Sequence, residues 1–153
     1  MKGNIINMRI ISGKARGTKL YTLEGIATRP TLDRVKESIF NIIQKDIEDS
    51  TVLDLFAGSG AIGLEFLSRG AKRAVLCDNS KDAIKIIKQN VQKTHFEEKA
   101  EVYNIEFGIS FCIILNKDSF TLSNVGLVVC PSNVYNFVPL AVPLIILILI
   151  FLL

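Results

Sequence analysis

The segment "TVLDLFAGSGAIGLEFLSRGA", Thr51 to Ala71, constrains the fold more than any other part of the chain. An apolar, β-branched run carries one acid, Asp54, and breaks at Gly58-Ser59-Gly60. It resumes after Ala61 with helical spacing as far as Arg69, where Gly70 can close the helix. Strand, glycine turn and helix in that order form the first half of an α/β unit. "KRAVLCDNS" supplies a second strand ending at Asp78, and Ser80–Lys93 reads as a second helix with Ile84, Ile87 and Val91 facing inward. "AEVYNI" offers a third strand. Strand–helix–strand–helix–strand predicts a parallel sheet with right-handed crossovers.

Upstream, "MRIISGKARGTKLYTLEG" alternates short apolar pieces with glycines and basic residues and reads as a hairpin or extended arm. "TRPTLDRVKESIFNIIQ" predicts a helix after Pro30, with Thr31 as N-cap, Asp33 in the first turn and Val35, Ile39, Ile42 and Ile43 on one face. Charge is uneven along the 153 residues. Residues 1–45 hold nine basic and three acidic side chains, and residues 46–106 hold eight basic and eleven acidic. A basic leader on a mildly acidic body suits contact with a polyanion, RNA or DNA; a solvated basic face is the alternative. Residues 107–153 contain only Lys117 and Asp118 as charges and show neither helical amphipathicity nor bounded strand alternation. The chain therefore divides into an arm with its first helix (1–45), a ligand-binding half (46–106) and an apolar tail (107–153).

Cys77, Cys112 and Cys130 share no ligand spacing, and His95 stands alone in a polar stretch. Neither a disulfide framework nor a metal site is expected, and a reducing cytoplasm suits the thiols. "MKGNIIN" lacks the apolar run of a signal peptide. Phe137–Leu153 is apolar or proline throughout, which raises the competing reading of a membrane anchor. It falls short of the ~20 residues a spanning helix needs, and Pro139 and Pro143 interrupt it.

The spacing Gly58-x-Gly60-x-x-Gly63, with Asp78 twenty residues past Gly58, fits a dinucleotide fingerprint. Asp54 argues for another ligand. NAD would seat a pyrophosphate on the turn, where a carboxylate at ~6 Å opposes it by roughly 3 kcal/mol at an effective dielectric of ~20. S-adenosylmethionine has no phosphate and brings a sulfonium and an ammonium, which Asp54 attracts, while Asp78 can take ribose hydroxyls. An ordinary tight turn in an α/β protein remains the bland alternative.

"LDLFAGSGAIGLEFLSRGA" resembles the first motif of the RsmD family, methyltransferases of a guanine amine in small-subunit ribosomal RNA. "RIISGKARGTKL" and "TRPTLDRVKESIFNII" are similar to that family's N-terminal segment, and "CDNSKDAIKIIKQNV" to its second motif. The resemblance spans Met8 to Asn104, and Met8 is similar to the family's usual start. It implies an α/β, Rossmann-like class I methyltransferase fold of seven strands, with S-adenosylmethionine as cofactor and no metal. A cytoplasmic monomer acting on 16S rRNA or the assembling small subunit is the matching expectation. Asp54, Phe56, Ala57, Gly58, Ser59 and Gly60 would line the methionine side of the pocket, and Asp78 and Asn79 would reach the ribose. Arg9, Lys14, Arg16 and Lys19 would touch RNA phosphates, and Arg29 and Arg34 would close over cofactor and base, unless they pair with Asp33 or Glu37.

The family also carries Asp-Pro-Pro-Tyr or Asp-Pro-Pro-Phe after its fourth strand. A guanine amine is a poor nucleophile, so acceptors for its N–H bonds and a stacking ring must hold it in line with the methyl group. The nearest segment in this chain is "GLVVCPSNVY", with Cys130-Pro131-Ser132 and Tyr135, in which Cys130 is a weak acceptor and the second proline is lacking. The catalytic residues are therefore unassigned. A frame disrupted near residue 105 is expected, with the C-terminal half of the sheet missing. The alternatives are a non-enzymatic remnant that binds RNA weakly through the arm, and a NAD-binding protein.

Overall fold

The computed structural model describes residues 8–22, 33–105, 127–131 and 146–150. Helix α1 (Asp33–Ile42) and a short 3-10 turn (Gln44–Asp46) precede β1 (Thr51–Asp54), α2 (Ala61–Ser68), β2 (Arg73–Asp78), α3 (Lys81–Thr94) and β3 (Ala100–Asn104). Strands β4 (Leu127–Pro131) and β5 (Ile146–Ile150) follow. All pair in parallel in the order β3-β2-β1-β4-β5. The chain winds outward from β1 through β2 to β3, then crosses to the other side of β1. Asp54 lies level with Leu76 of β2 and with Val129 of β4, and Asp78 lies level with Asn104 of β3. One edge thus gathers the carboxyl ends of every strand, with the topological switch point between β1 and β4, where open α/β sheets place their ligands.

β1 and β2 are buried nearly throughout, which explains their continuous apolar sequence: a parallel strand is covered on both faces. α2 is buried at seven of its eight positions because it lies between the sheet and the N-terminal segment. A Cβ on Gly63 would come 2.2 Å from Leu76 Cδ2, so glycine there lets helix and strand approach closely. α3 is capped by Ser80, whose Oγ accepts the Ala83 N–H at 3.3 Å. It buries Ala83, Ile87, Asn90, Val91 and Thr94, with Ile84 packed beside them.

Residues 8–20 form a docked loop rather than a free arm. Arg9 and Lys19 make an antiparallel bridge, and Leu20 N–H donates to the Met8 carbonyl at 2.8 Å. Met8, Ile10 and Leu20 enter the core. The loop grips the second half of α2. Glu65 accepts the backbone N–H groups of Ile11 (2.8 Å) and Ser12 (3.0 Å). Ser68 accepts those of Lys14 on its carbonyl and Ala15 on its hydroxyl, which itself donates to the Ser12 carbonyl. Gly13, at φ +81°, lies so close that a Cβ would fall 1.8 Å from the Ser68 carbonyl oxygen.

The inward face expected of α1 needs correction. The buried face of α1 is Lys36, Phe40 and then Ile43, with Ile39 beside it, whereas Val35 and Ile42 are exposed, Ile42 to 83%. A lysine ranks as polar in any periodicity count, yet Lys36 is fully buried because its ammonium meets Glu65 at 3.6 Å and donates to the Arg9 carbonyl at 2.6 Å. Phe40 stands edge-on to Phe66 at 4.6 Å, under the Arg69 guanidinium. Two of the sheet's five strands come from the apolar tail, and Ile146–Ile150 is extended within the stretch considered as a membrane helix. Among the described residues no helix is long and apolar enough to cross a membrane.

Candidate functional site: the glycine turn

Past β1 the backbone leaves the sheet at Leu55-Phe56 and enters α2 at Ala61. The turn between them is tied to β2: Ala57 N–H donates to the Cys77 carbonyl at 2.9 Å and Gly58 N–H to Asp78 Oδ2 at 2.9 Å. Gly58 and Gly60 hold φ of +56° and +78°, the left-handed region that glycine enters without strain. A Cβ on Gly58 would meet nothing within 4 Å, so the turn is open on that side.

Asp54 is 2% exposed. Its carboxylate accepts the backbone N–H groups of Phe56 and Gly63, but burial outweighs them and pushes its pKa up to about 7, with Asp78 adding to the rise. Gly63 is the third residue of α2, so Asp54 caps the helix in place of Gly60, which has no side chain to do so. Asp78 is half-buried. Oδ2 accepts from Gly58 and Oδ1 from Ser80 N–H at 2.9 Å, leaving each oxygen a second lone pair for hydroxyl donors. Burial pushes the Cys77 thiol up to about 12, so it stays protonated and inert.

The structure therefore brings Asp54, Ala57, Gly58, Ser59, Gly60 and Asp78 together around one turn. Phe56, 41% exposed, and the exposed Asn79 stand beside it. Asn104 was missed in the sequence. It ends β3 level with Asp78 and donates to the Asp78 carbonyl at 3.0 Å, extending the row of polar strand ends. Its position at the end of a third strand was the available signal.

Of the basic residues, Lys14, Arg16, Lys19 and Arg34 are exposed. Arg9 Nε meets Asp33 Oδ2 at 3.0 Å, which takes up the acid expected to face Arg29 or Arg34. Arg29, Thr31, Ser132 and Tyr135 lie outside the described residues. The segmental charge count hid a second basic surface. α3 presents Lys81, Lys85, Lys88 and Lys93 to solvent, with Asp82 its one acid. Among the described residues no group of three or more His, Cys, Asp or Glu could hold a metal ion.

Residues 8–118 match the family model described as "Conserved hypothetical protein 95", which is that of RsmD. The chain belongs to the RsmD family. It is 45% identical over 96 residues to the Bacillus subtilis protein YlbH, covering 63% of this chain and 52% of that one. To the "Ribosomal RNA small subunit methyltransferase D" of Haemophilus influenzae it is 45% identical over 98 residues, covering 63% and 51%. The chain thus spans about half the length of the curated relatives it matches. A hypothetical protein of Thermus thermophilus superposes with a TM-score of 0.69 at 28% identity, over 80% of this chain and 67% of that one. The α/β, Rossmann-like class of the sheet agrees with these matches.

Proposed function

We propose that this chain uses S-adenosylmethionine to methylate the N2 amine of a guanine in 16S ribosomal RNA. The observation that carries the reading is the pair of carboxylates flanking the glycine turn, one buried at the end of β1 and one half-buried at the end of β2. The donor set suits this cofactor. Asp78 retains acceptors for two ribose hydroxyls, Gly58 is open to a ligand, and Asp54 has backbone amides but, among the described residues, no cation as partners. It disfavours a dinucleotide. The helix N-terminus that would receive a pyrophosphate is already capped by Asp54, so a phosphate would compete with a carboxylate for the same N–H groups.

When bound, the cofactor supplies an electrophilic methyl group on a sulfonium. The protein's part is positioning. Asp78 and Asn79 hold the ribose end, the backbone of residues 56–60 follows the methionine end, and Asp54 favours positive charge there. The carboxyl end of β4, Cys130-Pro131, follows the residue level with Asp54 across the switch point and is where the target base would be received. The exposed Lys14, Arg16, Lys19 and Arg34 would hold RNA phosphates.

Transfer of tritiated methyl from S-adenosylmethionine to small subunits lacking the modification tests the reading, with calorimetry against S-adenosylhomocysteine and NADH alongside. Label recovered as N2-methylguanine is expected. Binding of S-adenosylhomocysteine without transfer would support the RNA-binding remnant, and preference for NADH would remove the assignment altogether.

A further inference from the structure

We infer that Asn90 is a positioning residue that locks the glycine turn and the N-terminal arm together, so that cofactor in the turn tightens the arm. The inference rests on the cofactor part of the reading above and extends it to the way the two binding segments communicate.

Asn90 stands on the inward face of α3 between Ile87 and Val91 and is fully buried. An apolar residue would satisfy the packing there; an amide must find partners for every polar atom. Its partners come from two distant segments. Oδ1 accepts the Tyr21 N–H at 2.8 Å, and Nδ2 donates to the Tyr21 carbonyl at 2.9 Å and the Ser59 carbonyl at 2.8 Å. Both carbonyls are acceptors, so only the NH2 end of the amide can face them, and chemistry fixes the orientation. Both amide hydrogens are thereby used. Tyr21 directly follows the docked loop, and Ser59 sits between the two glycines of the turn.

A second contact joins the same pair of segments, the Ser59 hydroxyl donating to Met8 Sδ at 3.1 Å. The turn also rests on α3 directly, since a Cβ on Gly60 would meet Ile87 Cγ2 at 3.4 Å. A ligand that holds the turn's backbone therefore holds the Ser59 carbonyl, which keeps the Asn90 amide aligned for Tyr21. Linkage makes the effect reciprocal, so an arm fixed on RNA favours the turn geometry that accepts cofactor.

The Tyr21 amide, whose proton goes to Asn90, is the reporter. Hydrogen exchange is followed in the wild-type chain with and without saturating S-adenosylhomocysteine, and the affinity for that ligand is measured for wild type and Asn90→Ala. Exchange at Tyr21 should slow about tenfold with ligand, while Lys14, held by Ser68 at the far end of the loop, changes less. Asn90→Ala should bind about tenfold more weakly and lose the Tyr21 response. A wild-type chain that binds the ligand without slowing exchange at Tyr21 overturns the inference, as does unchanged affinity in a folded Asn90→Ala. Should Asn90→Ala fail to fold, the wild-type exchange result decides alone. No binding by wild type would instead count against the cofactor reading.

Discussion

The two ends of α2 bury one carboxylate each, and they compensate the charge in opposite ways. At the N-terminal end Asp54 has backbone amides and, among the described residues, no cation as partners, and its pKa rises to about 7. In the second half Glu65 is equally buried but meets Arg69 at 2.9 Å and Lys36 at 3.6 Å, besides the Ile11 and Ser12 amides. The difference separates two tasks. A carboxylate saturated with cations and N–H donors is a structural anchor, here for the arm. One held by amides alone keeps unspent affinity for positive charge, as suits a site awaiting a cationic ligand.

The anchor should be the costlier to break. Glu65→Ala leaves Lys36 buried without its counter-charge and two loop amides without acceptors. Loss of one partner from a buried pair costs about 3–5 kcal/mol. Denaturant unfolding should show a loss of that size, and exchange at Ile11 and Ser12 should rise towards that of exposed loops. A loss below about 1 kcal/mol would mean that water reaches Lys36 and that the contrast between the two ends is overdrawn.

Asp54 predicts a pH dependence of definite sign. Its folded pKa, about 7, lies above the ordinary value of 3.8, so between those limits the folded state binds more protons than the unfolded state. Stability contributed by the neutral acid is fully present below pH ~4 and lost as pH rises to ~7, a difference on the order of 4 kcal/mol. Asp54→Asn keeps an acceptor for the Phe56 and Gly63 amides without the charge. The stability of wild type relative to Asp54→Asn should therefore fall across that window. An unchanged difference between pH 4 and 7 would show that Asp54 ionises freely.

Glycines at the two ends sharpen the contrast further. At Gly63 an added methyl meets the tip of Leu76, a side chain locked in the core, so Gly63→Ala should cost about 1–3 kcal/mol by overpacking. At Gly13 it meets a backbone carbonyl at a positive φ, which admits no small adjustment. The arm can leave α2 instead, so the global cost is capped by the docking energy. Gly13→Ala should therefore raise exchange at Lys14 and Ala15 more than it lowers the unfolding midpoint.

Much of this could be read beforehand where one residue type has one physical use. The turn was legible because glycines at positive φ, an acid at each strand end and the 3.6-residue pattern of Ile87 and Val91 point the same way. Lys36 and Asn90 were not, because a polar residue is buried only when a distant segment supplies its partners, and Glu65 and Tyr21 are 29 and 69 residues away from them. β4 and β5 escaped for another reason. Alternation and bounding turns are what mark a strand in sequence, and within a largely apolar tail Leu127–Pro131 and Ile146–Ile150 have no such contrast with their surroundings.

The smallest effect belongs to the arm's exposed charges. Lys14, Arg16 and Lys19 lie on a loop whose backbone is fixed by Glu65 and Ser68, so replacing one should leave the fold unaffected and remove a single phosphate contact. Each alanine variant should then lower the slope of log affinity for small-subunit RNA against log salt by about 1, with little change in stability. Arg9 should do less, since its pairing with Asp33 is broken in exchange for any phosphate. If Arg9→Ala lowered the slope as much as Lys19→Ala, the exposed ion pair would be no competitor for RNA. If none of the four changed it, the basic row on α3, from Lys81 to Lys93, would become the surface to replace next.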